Sequence, residues 1–218
     1  VEFEADITGL PFPIVIDPTL DLQVGSDAND GIRASGTVGF SNLQTYGRVG
    51  YNNNASYYVC HSFYRFTGVS GLAGVTITVS YLTLTEYSSV GSPLTKVYAH
   101  DAQAPAAPNS AAVFDAIPLT TAAVDWDGIA GTSPSINAVI QELATDYNPS
   151  AIQIIHKDDG SSQAGDNFQR CNHYAAGNAP QLHIEYTTGL TAVSDTIQAI
   201  WKTRAALSDT VQAIWNDR

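Results

Sequence analysis

Short runs in which apolar and polar residues alternate recur along most of this 218-residue chain, separated by turn-forming residues. In the run at 75–85, apolar residues occupy the odd-numbered positions up to Tyr81 and the even-numbered positions from Leu82 onward. A period-two pattern that slips by one residue predicts a β-bulge or a change of sheet near Tyr81. About ten such runs, with no alternation of strands and helices, predict a mainly β fold: an antiparallel jelly-roll or β-sandwich.

The other elements follow from the spacing of apolar residues. Further strands are predicted at 20–24, 57–66, 94–99, 111–114, 152–156, 168–174 and 181–186. One short helix is predicted at 135–146, because Ser135 can cap it and apolar residues follow at helical spacing. The Ala- and Pro-rich connection at 100–118 is predicted to be a long surface loop.

The last 26 residues repeat one sequence at an offset of 14 residues. Residues 193–204 and 207–218 are identical at eight of twelve positions and share Ser-Asp-Thr-x-Gln-Ala-Ile-Trp. Alternating steps of four and three place six apolar residues on one helical seam, which needs a partner to be buried. These residues are Val193, Ile197, Ile200, Leu207, Val211 and Ile214. We predict a C-terminal helical tail that joins copies of the chain; capping of its own domain and a β conformation are the alternatives.

Three segments are therefore expected. Residues 1–19 form an extended N-terminal arm, because apolar and acidic residues alternate at 2–7 before glycine and proline interrupt the pattern. Residues 20–187 form the β-sandwich domain, and residues 188–218 form the tail for oligomerisation.

The net charge of −12 limits the partners of the chain. Three of its nine basic residues lie in the tail beside three aspartates, so the body carries the whole negative excess. Such a surface repels phosphate backbones and anionic lipids, which argues against binding to nucleic acid or to membrane surfaces. No run approaches the roughly 18 apolar residues of a membrane span, so no membrane insertion is expected.

Enzyme signatures are missing from the sequence. It contains no Gly-x-Ser-x-Gly, no His-Glu-x-x-His and no phosphate-binding glycine loop ending in Lys-Ser/Thr. The five histidines, His61, His100, His156, His173 and His183, are scattered and read as hydrogen-bonded strand residues. We predict a protein that is not an enzyme and has no catalytic residues.

The two cysteines, Cys60 and Cys171, are 111 residues apart and have no metal-binding spacing. Both fall in aromatic-rich strands that are candidates for sheet neighbours. Either they form one disulfide in an oxidising compartment or both are buried thiols, and the sequence favours neither.

Two acidic loops contain oxygen ligands of the kind that Ca²⁺ prefers. The weak candidates are Asp27 and Asp30 in the first loop and Asp158 and Asp159 in the second. Neither loop has the EF-hand spacing, and Asp, Asn and Gly are also the common turn residues. The prediction is therefore no metal and no cofactor, with Ca²⁺ as the alternative.

Aromatic residues could form a platform for a sugar, because sugar C–H faces are apolar. Trp126 lies between two aspartates and is the predicted glycan contact, with a core position as the alternative. The tyrosines at 46, 51, 57 and 58 cluster upstream and read first as core residues. A polyanionic sugar also needs cations, and the nearby candidates are Arg33, Arg48 and Arg65.

Residues 20–187 resemble the DNRLRE-type β-sandwich domains of bacterial surface proteins and phage-encoded structural proteins. The resemblance rests on Ser-Phe-Tyr-Arg-Phe at 62–66 followed by a long strand, on the helix at 136–143 leading into 151–155, and on the closing strand at 179–187. It implies a jelly-roll sandwich with a role in adhesion or architecture, in some members with binding to acidic polysaccharide. It implies no shared catalytic residues.

The function expected first is that of a non-enzymatic structural protein of a phage or phage-like particle. Such a subunit would serve in capsid decoration, a fibre or a surface filament, as a homo-oligomer, with a trimer favoured, on the virion surface or outside the cell. Its partners would be itself, other particle proteins and surface polysaccharide. The alternative is a secreted carbohydrate-binding or adhesion module, and a sugar-processing enzyme comes last.

Overall fold

A computed structural model describes residues 18–128 and 130–188. The arm at 1–17 and the tail from 189 onward, including the six residues of the predicted seam, lie outside the described residues, and so do the predictions made for them. Within the described chain, residues 18–187 belong to one compact unit.

The described chain contains twelve strands and two α-helices. The strands are β1 (Thr19–Gln23), β2 (Asp30–Ala34), β3 (Phe40–Ser41), β4 (Tyr46–Asn52), β5 (Tyr58–Thr67), β6 (Thr76–Thr83), β7 (Glu86–Val90), β8 (Thr95–Ala99), β9 (Val124–Asp125), β10 (Ala151–Asp158), β11 (Asn167–Asn172) and β12 (Gln181–Thr187). The helices are α1 (Ala111–Asp115) and α2 (Asn137–Asp146), and single 3₁₀ turns occur at Asp27–Asn29 and Tyr174–Ala176.

These strands form two antiparallel sheets, as the alternating pattern predicts. The smaller sheet has three strands in the order β1-β12-β6. The larger sheet has nine strands; seven follow the order β7-β11-β4-β5-β10-β8-β9, and β2 pairs with β5 and with β3. The predicted fold class, a mainly antiparallel β-sandwich with a short internal helix, is confirmed for the described chain.

The main core lies between the two sheets and under α2. Leu82 and Ile184 of the smaller sheet, Tyr64 and Ile154 of the larger sheet, and Ile140 of α2 belong to one buried cluster. Each fully buried side chain of this size contributes about 1.5–3 kcal/mol of transfer free energy before entropy is subtracted. A second, smaller cluster on the other face of the larger sheet joins Phe63, Phe114 and Ile155.

The predicted bulge exists, but it lies earlier in the strand than expected. The register between β12 and β6 shifts where Glu185 pairs with Val79 and Tyr186 pairs with Ile77, which leaves Thr78 unmatched. Val79 is apolar but 37% exposed. It fits the alternating pattern of the sequence although its side chain does not belong to the core. The prediction of a bulge near Tyr81 is therefore corrected to Thr78.

The strand predicted at 111–114 is also wrong, and α1 interrupts the long loop predicted at 100–118, of which residues 101–110 are irregular as predicted. This segment contains α1, which begins after Ser110, whose Oγ accepts a hydrogen bond from the N–H of Val113 at 3.3 Å. A run of four apolar residues cannot distinguish a strand from a short helix, and the serine cap was the signal that the periodicity missed. Helix α1 packs on the larger sheet through Phe114, whose ring contacts the ring of Phe63.

Candidate functional site

One edge of β5 is shared by two strands, and the candidate site lies where these strands separate. Cys60 of β5 pairs with Gly50 of β4, whereas Ser62 pairs with His156 of β10, and β2 occupies the opposite edge. At the separation, Ser62 Oγ accepts a hydrogen bond from the N–H of Arg48 at 3.0 Å and donates one to its carbonyl at 3.1 Å. Ser62 thereby holds the backbone of Arg48 where β4 departs from β5.

Arg48 of β4 and Arg170 of β11 are direct partners across an antiparallel pair of strands. Side chains in such positions have their Cβ atoms about 5 Å apart, and like charges there destabilise the sheet. Arg48 is only 8% exposed, which removes most of the water that would screen this repulsion. Burial and the neighbouring Arg48 charge both lower the pKa of the Arg170 guanidinium.

Three aromatic rings surround the two guanidinia. The Cζ atom of Arg48 is 3.7 Å from the ring centroid of Tyr57 and 5.3 Å from that of Phe168. The Cζ atom of Arg170 is 5.1 Å from the centroid of Phe168 and 5.6 Å from that of Tyr87. Ring faces attract cations and partly compensate the two charges. Tyr87 is 51% exposed, so the group also presents an aromatic surface to solvent.

The hydrogen-bonding capacity of this pair is largely unused within the described chain. Nε and Nη1 of Arg48 and Nε of Arg170 are buried and have no hydrogen-bond partner among residues 18–128 and 130–188. Neither guanidinium forms a salt bridge with any residue in those ranges. Asp166, whose charge acts on Arg170, instead accepts hydrogen bonds from the Asn52 side chain at 3.0 Å and the Asn53 backbone at 2.7 Å.

The other two arginines predicted as cations for a sugar have partners of their own. Arg33 forms an ion pair with Asp115 at 2.8 Å, and both oxygens of that carboxylate accept its hydrogen bonds. Arg65 donates to the carbonyl of Pro105 at 2.6 Å and to Oδ1 of Asn29 at 2.9 Å. Of the three predicted cations, Arg48 is thus the one whose buried donors have no partner among the described residues. The structure places a second arginine of this kind, Arg170, opposite it.

Tyr57 is held over Arg48 by a tight turn between β4 and β5. Oδ1 of Asn54 accepts a hydrogen bond from the N–H of Ser56 at 2.9 Å, and the N–H of Tyr57 donates to the carbonyl of Asn54 at 2.8 Å. The next residue, Tyr58, has a left-handed backbone with φ of 49°. A bulky residue is uncommon in that region, and backbone strain of this kind clusters at functional sites.

The Cys60 thiol does not neutralise the arginines. Burial raises its pKa to about 12 even though the Arg48 charge acts in the opposite direction, so the thiol stays protonated. Two guanidinia that form no salt bridge with the described residues, beside aromatic rings, are suited to an external anion, because forked N–H donors match the oxygens of carboxylate, sulfate and phosphate groups. We call Arg48, Arg170, Tyr57, Phe168 and Tyr87 the arginine–aromatic site.

Trp126, predicted as the glycan contact, is a core residue with 4% exposure. Its ring stacks on His156 with centroids 5.0 Å apart, and its carbonyl accepts hydrogen bonds from Gln169 and Thr95. A ring this deeply buried presents no face to a sugar, so the prediction for Trp126 is corrected. Asp127, one of its flanking aspartates, accepts a hydrogen bond from the N–H of Thr95 at 2.8 Å.

The upstream tyrosines divide between several environments. Tyr57 belongs to the arginine–aromatic site, and Tyr46 stacks on Tyr87 at its border with centroids 3.9 Å apart. Tyr51 is buried, with its ring centroid 6.2 Å from that of Tyr58. The sequence predicts all four tyrosines first as core residues. It gives no signal for Arg170, Phe168 and Tyr87, because only the strand pairing brings them close to Arg48.

Cys60 and Cys171 are both buried and unbonded. Cys60 lies on β5 and Cys171 on β11, and β4 separates these strands. Neighbouring strands are about 4.8 Å apart, so the intervening strand places the two backbones well beyond the reach of a disulfide. In the structure, Cys60 and Cys171 are therefore two separate buried thiols, with no disulfide between them.

The candidate calcium ligands lie on turns or in the interior. Asp27 begins a 3₁₀ turn, while Asp30 is only 1% exposed and accepts a hydrogen bond from the N–H of Tyr174 at 2.7 Å. Asp158 accepts bonds from the backbone of its own turn, and Asp159 pairs with Lys96 at 2.9 Å. Among the described residues, no three His, Cys, Asp or Glu side chains gather as a metal site would require.

The histidines occupy interior and surface positions. His156 and His173 are buried and His61 is partly buried, and the loss of solvent lowers their pKa values to about 3, about 4 and about 4 respectively. His100 is partly buried and lines a shallow apolar hollow beside α1. His183 differs from the rest, because its two ring nitrogens contact Asp21 and Glu185 on the outer face of the smaller sheet.

Comparison with known proteins adds no identity: no protein-family model matches the chain, and no curated protein matches its sequence. The class of protein is therefore defined by the fold alone, as an antiparallel β-sandwich. In the part of the chain that the structure covers, no helix is long and apolar enough to cross a membrane.

Proposed function

We propose that the sandwich domain is a non-catalytic binding module that attaches to an anionic polysaccharide through the arginine–aromatic site. The observation that carries this proposal is the direct cross-strand pair of Arg48 and Arg170, whose buried donors have no acceptor within the described chain. A sheet gains nothing in stability from two opposed, desolvated like charges. A ligand that supplies the missing negative charge accounts for their presence.

The composition of the site suits a sugar that carries acidic groups. Tyr87 offers an exposed ring on which an apolar sugar face can stack, next to Arg170, which is partly exposed. The surrounding body carries the large negative excess of the chain, so a long polyanion is repelled except where these arginines lie. This combination favours selective capture of one acidic group over general binding to polyanions.

The test is a binding measurement with anionic and neutral polysaccharides by affinity electrophoresis and calorimetry. Arg170→Gln should weaken binding to any anionic polysaccharide that the native protein retains, and the binding should fall as salt rises. Arg33→Gln is the matched control, because Arg33 is already paired with Asp115. Retention of no anionic polysaccharide, or equal loss in both variants, would refute the proposal.

The tail repeat favours a second role, that of a self-assembling structural subunit of a phage-like particle or surface filament. Burial of the six seam residues would join copies, at roughly 1.5–3 kcal/mol for each buried side chain before entropy. Several joined sandwiches would bind a repetitive polysaccharide with increased avidity. The two roles are compatible: the tail supplies assembly and the sandwich supplies attachment.

The assembly role is tested by the solution mass of residues 1–218 and of a 1–188 truncation, measured by light scattering. A trimer or larger species that becomes monomeric on truncation would support assembly through the tail. A monomeric full chain would exclude it.

A further inference from the structure

We infer that the group recognised at the arginine–aromatic site is a tetrahedral oxyanion, a sulfate or phosphate monoester on a sugar, rather than the planar carboxylate of a uronic acid. This inference rests on the proposed binding function and specifies its ligand. It follows from the number of unused donors, from their depth and from the charge they carry.

The unused donors belong to two separate guanidinia on two strands. The buried nitrogens without acceptors in the described chain are Nε and Nη1 of Arg48 and Nε of Arg170. A carboxylate has two oxygens in one plane, and one guanidinium satisfies both in a forked pair. A carboxylate that forms this forked pair with Arg48 has only its remaining in-plane lone pairs left for Arg170. A sulfate or phosphate ester has three terminal oxygens that diverge, so it can accept from both guanidinia together.

The depth of Arg48 favours the same class of ligand. Arg48 is 8% exposed and lies between the rings of Tyr57 and Phe168, whereas Tyr87, beside Arg170, is half exposed. A uronate carboxylate is bonded directly to the sugar ring, so it cannot enter far while the ring rests on Tyr87. A sulfate or phosphate ester extends from the ring on its ester oxygen. It therefore extends farther toward the buried guanidinium than a carboxylate does while the sugar stays at the surface.

The charge of the site favours a phosphate monoester in particular, because a sulfate monoester carries the same single negative charge as a carboxylate. Two guanidinia face the ligand, and Asp166 is engaged with Asn52 and Asn53 instead of with them. A phosphate monoester carries about −1.5 to −2 at neutral pH, and a sulfate monoester keeps a full negative charge at all ordinary pH values. The remaining negative surface of the protein disfavours a densely charged polymer such as a nucleic acid.

The test uses four polymers with one backbone: dextran, dextran sulfate, dextran phosphate and carboxymethyl-dextran, at equal charge density and ionic strength. We expect the native full-length protein to bind one or both of the tetrahedral esters at least about tenfold more tightly than carboxymethyl-dextran. Binding that rises between pH 5.5 and 7.5 identifies phosphate, whose second pKa is about 6, and binding that does not change with pH identifies sulfate.

Variants connect the binding to the site. Arg48→Lys keeps the charge but loses the forked donors, so it should reduce ester binding about tenfold, and Arg170→Gln should do the same at the more exposed position. Arg33→Gln should leave binding unchanged. Equal or tighter binding of carboxymethyl-dextran that is still lost in Arg170→Gln would overturn the tetrahedral inference while the binding function stands. If no polymer shows binding that depends on Arg170, the proposed function fails, and the inference fails with it.

Discussion

The guanidinium carbon of Arg48 lies 3.7 Å from the ring centroid of Tyr57, and the residue after Tyr57 has a left-handed backbone. The ring therefore covers a charge that has no carboxylate within the described chain, at the cost of strain in the turn that carries it. Among the described residues, this ring is the closer of the two that contact the Arg48 guanidinium. Its contribution can be measured apart from any ligand.

Replacing Tyr57 with alanine should lower the free energy of unfolding by about 1–2 kcal/mol, because the buried cation loses its closest ring. Tyr57→Phe retains the ring face and should lose much less. Urea denaturation of both variants at neutral pH measures the difference. If phenylalanine were as destabilising as alanine, the ring face would not be the source of the effect.

Arg170→Met should raise the free energy of unfolding by about 1 kcal/mol, because methionine keeps apolar contact with Phe168 and removes one of two opposed charges. The same variant should lose anion binding, as expected where a binding site is maintained at the expense of stability. Arg33→Met is the control with the opposite sign: it removes the ion pair with Asp115 and should cost up to about 1 kcal/mol. A large loss of stability in Arg170→Met would mean that the described chain compensates this charge fully.

Asp30 should make the protein less stable as the pH rises. Burial raises the pKa of this carboxyl to about 7, and the nearby Asp27 charge adds to the rise while the N–H of Tyr174 opposes it. His173, whose Nδ1 is 3.8 Å away, offers no positive charge, because burial lowers its pKa to about 4. The unfolded carboxyl titrates near pH ~4, so the folded state binds the extra proton between about 4 and 7, and stability falls across that window.

Asp30→Asn removes this titration while still accepting the hydrogen bond from Tyr174. Its free energy of unfolding relative to the native protein should therefore increase from pH 4 to pH 7 and then level off. Urea denaturation at several pH values measures the difference, and unrelated titrations cancel in it. A difference that stays constant with pH would show that Asp30 is ionised in the folded protein.

His183 should contribute a second pH dependence, on the outer face of the smaller sheet. Its Nδ1 is 2.7 Å from Asp21 and its Nε2 is 3.1 Å from Glu185, and these contacts raise the pKa of the imidazole, that with Asp21 most. Its stabilising effect is complete below the unfolded pKa of about 6.5 and is lost as the pH rises through the higher folded value. His183→Gln should flatten this part of the profile, and NMR titration of the ring should give a pKa above 6.5 in the native protein. A ring that titrates at or below 6.5 would contradict the contact.

The fold could be predicted wherever apolar spacing was unambiguous. The aromatic strand predicted at 57–66 is observed at Tyr58–Thr67, and the helix predicted from residue 135 is observed at Asn137–Asp146. The errors arose where a local pattern had two physical readings. Val79 is apolar and in the right sequence position for a core residue, but it is exposed. The apolar run at 111–114 is too short for its spacing to distinguish a helix from a strand.

The site could be predicted only in part, for a different physical reason. Arg48 was predicted as a cation for a sugar from its type and its proximity to the tyrosines, whereas Tyr57 was predicted first as a core residue. Arg170 is more than a hundred residues away, and its position opposite Arg48 is set by the register of β11 on β4, which no local pattern encodes. Trp126 was misplaced because a tryptophan between two aspartates suits a sugar platform and a core edge equally well. Burial, which depends on tertiary packing, decided between them.

Cys60 and Cys171 should behave as inert thiols in the folded protein. Burial raises the pKa of both to about 12, and the hydroxyl of Tyr64 lies 3.2 Å from the sulfur of Cys171. The thiolate is the reactive form, so neither residue should be alkylated by iodoacetamide at pH 8 without denaturant, whereas both should react in 6 M urea. Intact mass measured after each treatment counts the modified residues. Without reductant, the unfolded chain should still gain two labels, because the sulfurs lie on strands separated by β4. A chain that accepts no label until it is reduced would contain the disulfide that this strand order excludes.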